Sequence, residues 1–185
     1  MIIPGKYLKA VSLFAAKKDV RCYLNGVCFE VSDSKVILTA TTGHSMCSAS
    51  VDVEPGQLPG KYIVGLEYLS DVDCNSSIDV TFNNNNVTLT QNARSVTAAL
   101  IDGKFPDWRR VVPDKVSGEV AQLCPENVLT ALKAKRILLG NNRIKDLYIS
   151  HNGADPAVII VGEVIILISP FITEVFSYNK PEFTK

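Results

Sequence analysis

The sequence predicts an α+β fold: antiparallel sheets whose helices all load one side. Three features point there. PGKYLKAV (4–11) and PENVLTAL (125–132) share one frame, Pro, two residues, an apolar residue, Leu, one residue, Ala and an apolar residue, and PGKY itself recurs at 59–62. Each occurrence opens a short helical pattern, and β-type runs follow it. The tract Asn83–Asn86 between SIDVTF and VTLTQ reads as a hairpin loop.

The elements follow in order. Helix one is expected over Lys6–Ala16, opened by Pro4, because a proline at the first turn lacks only an N–H that would be unbonded anyway. Tyr7, Val11, Phe14 and Ala15 fall on one side at helical spacing, and Lys6, Lys9 and Lys17 cluster on the other. RCYLNGVCFEV alternates around Asn25-Gly26, and KVILTATTGHSMCSASVDV is rich in Thr and Val, so both read as strand. A short, acidic middle helix is expected near Leu66–Val72. RSVTAALI, DLYIS, AVIIV and VIILIS supply later strands. The last helix is expected over Glu126–Leu139, with an apolar stripe of Val128, Leu129, Leu132 and Leu139 and with Gly140 as the residue that ends it. Lys133, Lys135 and Arg136 decorate it. PDKVSG (113–118) is the one plausible linker, dividing two units in 1–112 from one in 118–185.

Composition excludes several classes. Lys+Arg and Asp+Glu are both 19, so the net charge is zero, and any nucleic-acid role must use a local basic face. No apolar run is long enough to span a membrane. MIIPGKYLKAV lacks a signal-peptide pattern, which predicts a cytoplasmic protein. The five cysteines are odd in number and contain no CxxC, so buried free thiols are expected rather than disulfides or a metal centre. Asn75-Ser76-Ser77 and Asn86-Val87-Thr88 are chance matches to a glycosylation pattern. No Ser, Cys or carboxylate constellation accompanies His44 or His151, and no Gly-rich phosphate loop appears. The expectation is a protein with no catalytic residues, no metal and no cofactor.

One stretch resists these assignments. LIDGKFPDWRRVVPD (100–114) reads as a loop bounded by Pro-Asp turns, yet it holds the only Trp of the chain and an Arg pair. Together with VRCYLNGVCFEV (20–31) and TATTGHSM (39–46), it resembles the middle domain of the bacterial DNA polymerase III beta subunit, the sliding clamp. The family pattern is an Arg–aromatic–Leu–Asn–Gly strand, then Ala-Thr-Asp-Gly-His, then Gly–basic–Phe-Pro-Asp–aromatic-Arg-Arg-Val–Leu-Pro. NGADPAVIIVGEVIILISPF (152–171) is similar to the carboxy-terminal strands of that family. The resemblance implies the DNA-clamp fold, with a middle domain at 1–112 and about half of the last domain at 118–185.

The resemblance also implies roles. Family subunits close into a ring around double-stranded DNA, with helices lining the hole. Lys6, Lys9, Lys17, Lys133, Lys135 and Arg136 would then face phosphates in a sequence-independent way. The connector forms one wall of a pocket that takes apolar peptide motifs from DNA polymerases, the clamp loader and repair proteins. The matching positions are Leu24, Thr41, Gly43, His44, Met46, Pro106, Arg110 and Val111, with Leu167, Ser169, Pro170 and Phe171 from the last strand. Trp108 is expected to pack beneath the connector and pin it. Three units per chain imply a homo-oligomer, most simply a tetramer, because a family ring holds about twelve such units. The alternative is a clamp-derived module that keeps the pocket, makes no ring and competes with a host clamp. Departures from the family pattern are Thr42 for Asp, Ser45 for a basic residue, and Ser169-Pro170-Phe171-Ile172 for a Met-Pro-Met-Arg-like end, followed by residues 172–185. They alter the floor and rim of the pocket.

Overall fold

A computed structural model describes residues 1–56 and 58–171. In chain order it contains β1 (Ile2–Pro4), α1 (Gly5–Ser12), β2 (Gly26–Val31), β3 (Lys35–Thr41), β4 (Ser45–Asp52), β5 (Gly60–Gly65), β6 (Ser77–Asn83), β7 (Asn86–Gln91), β8 (Arg94–Ala99), α2 (Pro125–Leu139), β9 (Ala157–Val161) and β10 (Val164–Ile168). The strands make two antiparallel sheets, ordered β1-β6-β7-β8 and β5-β2-β3-β4-β10-β9. α1 lies on β3 and β4, α2 lies on β9 and β10, and the helices pack on each other. One large cluster joins Leu8, Val11 and Phe14 to Phe29, Leu38, Ile166 and Ile168, so both helices load one face of the six-stranded sheet.

Local chemistry explains most elements. In β6, Ile78, Val80 and Phe82 are buried while their neighbours are exposed, the alternation of a strand with one covered face. The Asn84-Asn85 turn joins Asn83 to Asn86, with Asn84 at φ +50°, a conformation Asn tolerates. α2 carries Pro125 in its first turn and stops at Gly140, whose φ of +62° suits glycine. The Asn141 N–H then bonds the Arg136 carbonyl at 3.1 Å, closing the helix end.

Four expectations give way to tertiary context. The stripe that α2 buries is Ala131, Ala134 and Leu138, while Leu129 and Leu139 are exposed. Close approach to α1 selects small side chains, which a search for large apolar residues overlooks. Leu66–Tyr68 is a single 3-10 turn rather than a helix. RCYLNGVCFEV is strand only from Gly26 onward: Cys22–Leu24 is a 3-10 turn, and the Asn25 side chain bonds both the N–H and the carbonyl of Asp19 at 2.8 Å. Gly26 is needed there, since a Cβ would lie 2.4 Å from the Val64 carbonyl oxygen. In DLYIS only Ser150 pairs, with Val158. Lys135 holds Asp146 and Arg136 holds the Ile144 carbonyl, which ties the rest of that segment to α2.

β2 and β4 are buried on both faces, so something must cover the side of the sheet away from the helices. That cover is the connector. Phe105 packs with Leu24, Cys28 and Ile63 in one small cluster, and Met46, Val158 and Leu167 form another. Trp108 packs against both. A Trp and its apolar neighbours belong on this loop because the loop is the second wall of the core.

Candidate functional site

Between the two small clusters a cavity of about 280 Å³ opens on the outer face of the six-stranded sheet. Its apolar floor is Leu24, Met46 and Leu167, each at most 4% exposed. Pro106, Trp108 and Val111 of the connector form one side, and Val111 is half exposed. Arg21, Thr41, Gly43, His44, Ser45, Asp107, Pro156 and Ser169 complete the lining. The site therefore draws on the connector, the β3–β4 turn and the last strand, elements far apart in sequence.

Pairing of β4 with β10 places Met46 opposite Leu167. The Ser169 N–H continues that ladder by bonding the His44 carbonyl at 2.9 Å. The β3–β4 turn is held by hydroxyls. Thr41 Oγ1 donates to the Ser45 carbonyl and accepts from the Gly43 N–H, both at 2.9 Å. Thr42 Oγ1 lies 3.3 Å from Ser45 Oγ, so the two departures from the family pattern in this turn bond each other. Gly43 has φ +92°, and the Arg21 guanidinium lies beside it. Arg21 is fixed in turn by Asp19 at 2.8 Å, and its hydrogen bond holds the Asp19 carboxyl down at about 2.

The connector is anchored at Glu30. Trp108 Nε1 donates to Glu30 Oε1 at 3.1 Å, Arg109 pairs with Oε2 at 2.9 Å, and Lys61 lies 3.4 Å from Oε1. The Arg109 guanidinium stacks on the Trp108 ring at 4.4 Å. Burial pushes the Glu30 carboxyl up, but the bonds from Trp108 and Arg109 outweigh burial and hold it below its ordinary value. Its stabilising effect is therefore complete above the unfolded value of ~4.3 and drains away as pH falls through the lower folded value. Trp108 emission should shift to the red over that acid range, and Glu30→Gln should remove the step. An unchanged step in Glu30→Gln would contradict the anchor.

Of the pocket positions the sequence named, Leu24, Thr41, Gly43, His44, Met46, Pro106, Val111, Leu167 and Ser169 meet at the cavity. Arg110, Pro170 and Phe171 do not line it; Arg110 and Phe171 are exposed. Sequence reasoning missed Arg21, Ser45, Asp107 and Pro156 as lining, and gave Trp108 only a structural part. Arg21 was legible in the Arg–aromatic–Leu–Asn–Gly motif. Pro156 carried no signal, because only the β9–β10 fold brings it here.

The six cations divide differently. Lys9 donates to the Ser70 carbonyl, Lys135 pairs with Asp146 at 3.2 Å, and Arg136 Nε bonds the Ile144 carbonyl at 2.7 Å. Lys6 lies over the Tyr7 ring at 5.3 Å. Lys17 and Lys133 are exposed and make no ion pair or hydrogen bond among the described residues. Burial pushes the Cys28 thiol up to about 12 and the Cys47 thiol higher still. Among the described residues, no group of three or more His, Cys, Asp and Glu is placed to hold a metal, and no helix is long and apolar enough to cross a membrane.

Comparisons with known proteins fit this architecture. Residues 5–107 match the family profile of the DNA polymerase III beta subunit, central domain. The beta sliding clamp of Proteus mirabilis is 28% identical over 151 residues, 78% of this chain and 41% of the relative. That of Pseudomonas aeruginosa is 31% identical over 157 residues, 76% of this chain and 42% of the relative. The chain thus spans about two fifths of the length of these relatives. The crystal structure of the Pseudomonas aeruginosa beta subunit aligns with a TM-score of 0.74 at 16% identity, covering 94% of this chain and 66% of that one. The Bacillus subtilis sliding clamp aligns with a TM-score of 0.73 over 94% of this chain and 64% of its own. At such identities the structural likeness shows the fold alone, and the fold is that of the clamps. With its central-domain match covering more than half of the residues, the chain belongs to the DNA polymerase III beta subunit family, the beta sliding clamps.

Proposed function

We propose that the chain acts as a sliding clamp whose pocket takes short apolar peptide segments of a DNA polymerase or clamp loader, and whose copies close around double-stranded DNA. The cavity floored by Leu24, Met46 and Leu167 supports this most directly. It offers apolar area with a polar rim, which suits a peptide with a few large side chains. Burying one Leu-sized anchor contributes about 2 kcal/mol, and several anchors give roughly micromolar affinity after ordering costs. In this proposal residues 1–112 act as a clamp domain and 118–185 as half of another, with 172–185 outside the described residues. No catalytic step is assigned.

Isothermal titration with a short capped peptide bearing Leu and Phe tests the pocket. The expected result is saturable micromolar binding, weakened at least tenfold by Val111→Asp. Val111 is 51% exposed, so this change should leave the fold intact. Equal binding by both proteins would refute the assignment.

A second reading keeps the pocket without the ring: a monomer would act as a peptide-binding module that competes with a full-length clamp. Light scattering across a concentration range separates the two. A closed oligomer, most simply a tetramer, supports the ring, and a persistent monomer supports the module.

A further inference from the structure

The cavity on the outer face of the six-stranded sheet stands next to a stretch of this chain that suits it. β10 carries the chain to the rim, where Ser169 lines the cavity and its N–H bonds the His44 carbonyl at 2.9 Å. Pro170 and Phe171 do not line it. The Phe171 N–H bonds the Gln122 carbonyl at 2.9 Å, and the Phe171 side chain is 60% exposed. ITEVFSYNKPEFTK, residues 172–185, continues from that point and lies outside the described residues.

The composition of this stretch matches the cavity. The floor of Leu24, Met46 and Leu167 is apolar, and Val111 at its side is 51% exposed, so apolar surface is left open to a ligand. Between 173 and 185, Val175-Phe176 is the one adjacent pair of large apolar side chains. Glu174 precedes that pair. Arg110 precedes Val111 on the connector, exposed and without a side-chain partner among the described residues. An acid beside the apolar pair and a guanidinium beside the rim are complementary.

Reach and attachment favour the same contact. Ser169 to Phe171 spans about 7 Å of chain, and the five residues from Phe171 to Phe176 span about 16 Å, enough to turn back onto the cavity. A segment attached this close meets the cavity at roughly millimolar effective concentration, so an intrinsic dissociation constant of ~100 μM would keep the cavity about nine-tenths filled.

We propose that Val175 and Phe176 occupy the cavity of their own chain, so that a partner peptide must displace them. The inference rests on the peptide reading of the cavity and deepens it. A partner's apparent dissociation constant is then its intrinsic one divided by the open fraction of the cavity. The segment of a second copy carries the same residues without the proximity, which is why the chain's own segment is the occupant.

Isothermal titration of the full chain with the capped Leu- and Phe-bearing peptide tests it. Val175→Ser combined with Phe176→Ser should tighten binding about tenfold. Equal or weaker binding in that variant would overturn the proposal and leave the peptide reading standing. No binding by either protein would overturn the peptide reading, and the proposal with it. The tightening should be the same at every protein concentration. A tightening seen only at high protein concentration would assign the segment to a second copy and overturn the contact within one chain. A cross-link reads the contact directly. In a background of Cys22→Ser, Cys74→Ser and Cys124→Ser, Val111→Cys with Phe176→Cys should form a disulfide within one chain under mild oxidation, and the peptide should suppress it. Thr81→Cys, on the other sheet, should form none with Phe176→Cys. Absence of the bridge to position 111 would also overturn the proposal.

Discussion

Trp108→Ala is expected to destabilise the protein by about 3 kcal/mol and to abolish peptide binding at the pocket. The indole joins the two clusters on the outer face of the sheet. Its loss opens a cavity beneath the connector and leaves Glu30 with fewer partners than its burial requires. Arg109 also loses the ring on which it stacks. Chemical denaturation followed by circular dichroism reads the stability, and titration reads the pocket. Trp108→Phe separates the parts. It keeps most of the apolar area but not the bond to Glu30, and it should lose about 1 kcal/mol. A loss well under 1 kcal/mol in Trp108→Ala would mean that the connector is not held by its Trp.

Charge reversal at Lys6, Lys17 and Lys133 should remove retention on circular duplex DNA by roughly a hundredfold at moderate salt while leaving peptide affinity unchanged. Each change from Lys to Glu alters the charge by two, so three of them take the chain from +0 to about −6. These three are chosen because they hold no hydrogen bond or carboxylate, whereas Lys9, Lys135 and Arg136 each tie down backbone or an acid. Reversing the latter would disturb the fold as well as the field. Nicked circular DNA with the matching loader measures the effect. Undiminished retention would show that the helix faces do not meet phosphate.

Much of this was legible before any coordinates. Pro4 and Pro125 open helices, the Asn tract turns a hairpin, and the two helices share one face of one sheet. The cavity positions in the Thr41–Met46 turn and the connector were legible because their motifs are long and their spacing is regular. Three kinds of information were not. Alanine stripes carry little apolar weight in a periodicity count, so the packing face of α2 was misplaced onto Leu129 and Leu139. Pairing that depends on a third element cannot be read locally, so DLYIS looked like a strand while α2 holds its start. The fate of a cation depends on which acceptor the fold brings near it, and sequence shows the Lys but not the acceptor.

The central claim is that the cavity built from the connector, the Thr41–Met46 turn and the last strand is where a peptide sits. Methyl and indole NMR during titration with the Leu- and Phe-bearing peptide tests it most directly. The account predicts saturable shifts at Leu24, Met46, Val111, Leu167 and the Trp108 indole, with Val96 and the methyls of α2 unmoved. Shifts that avoid those five residues, or none at millimolar peptide, would contradict it.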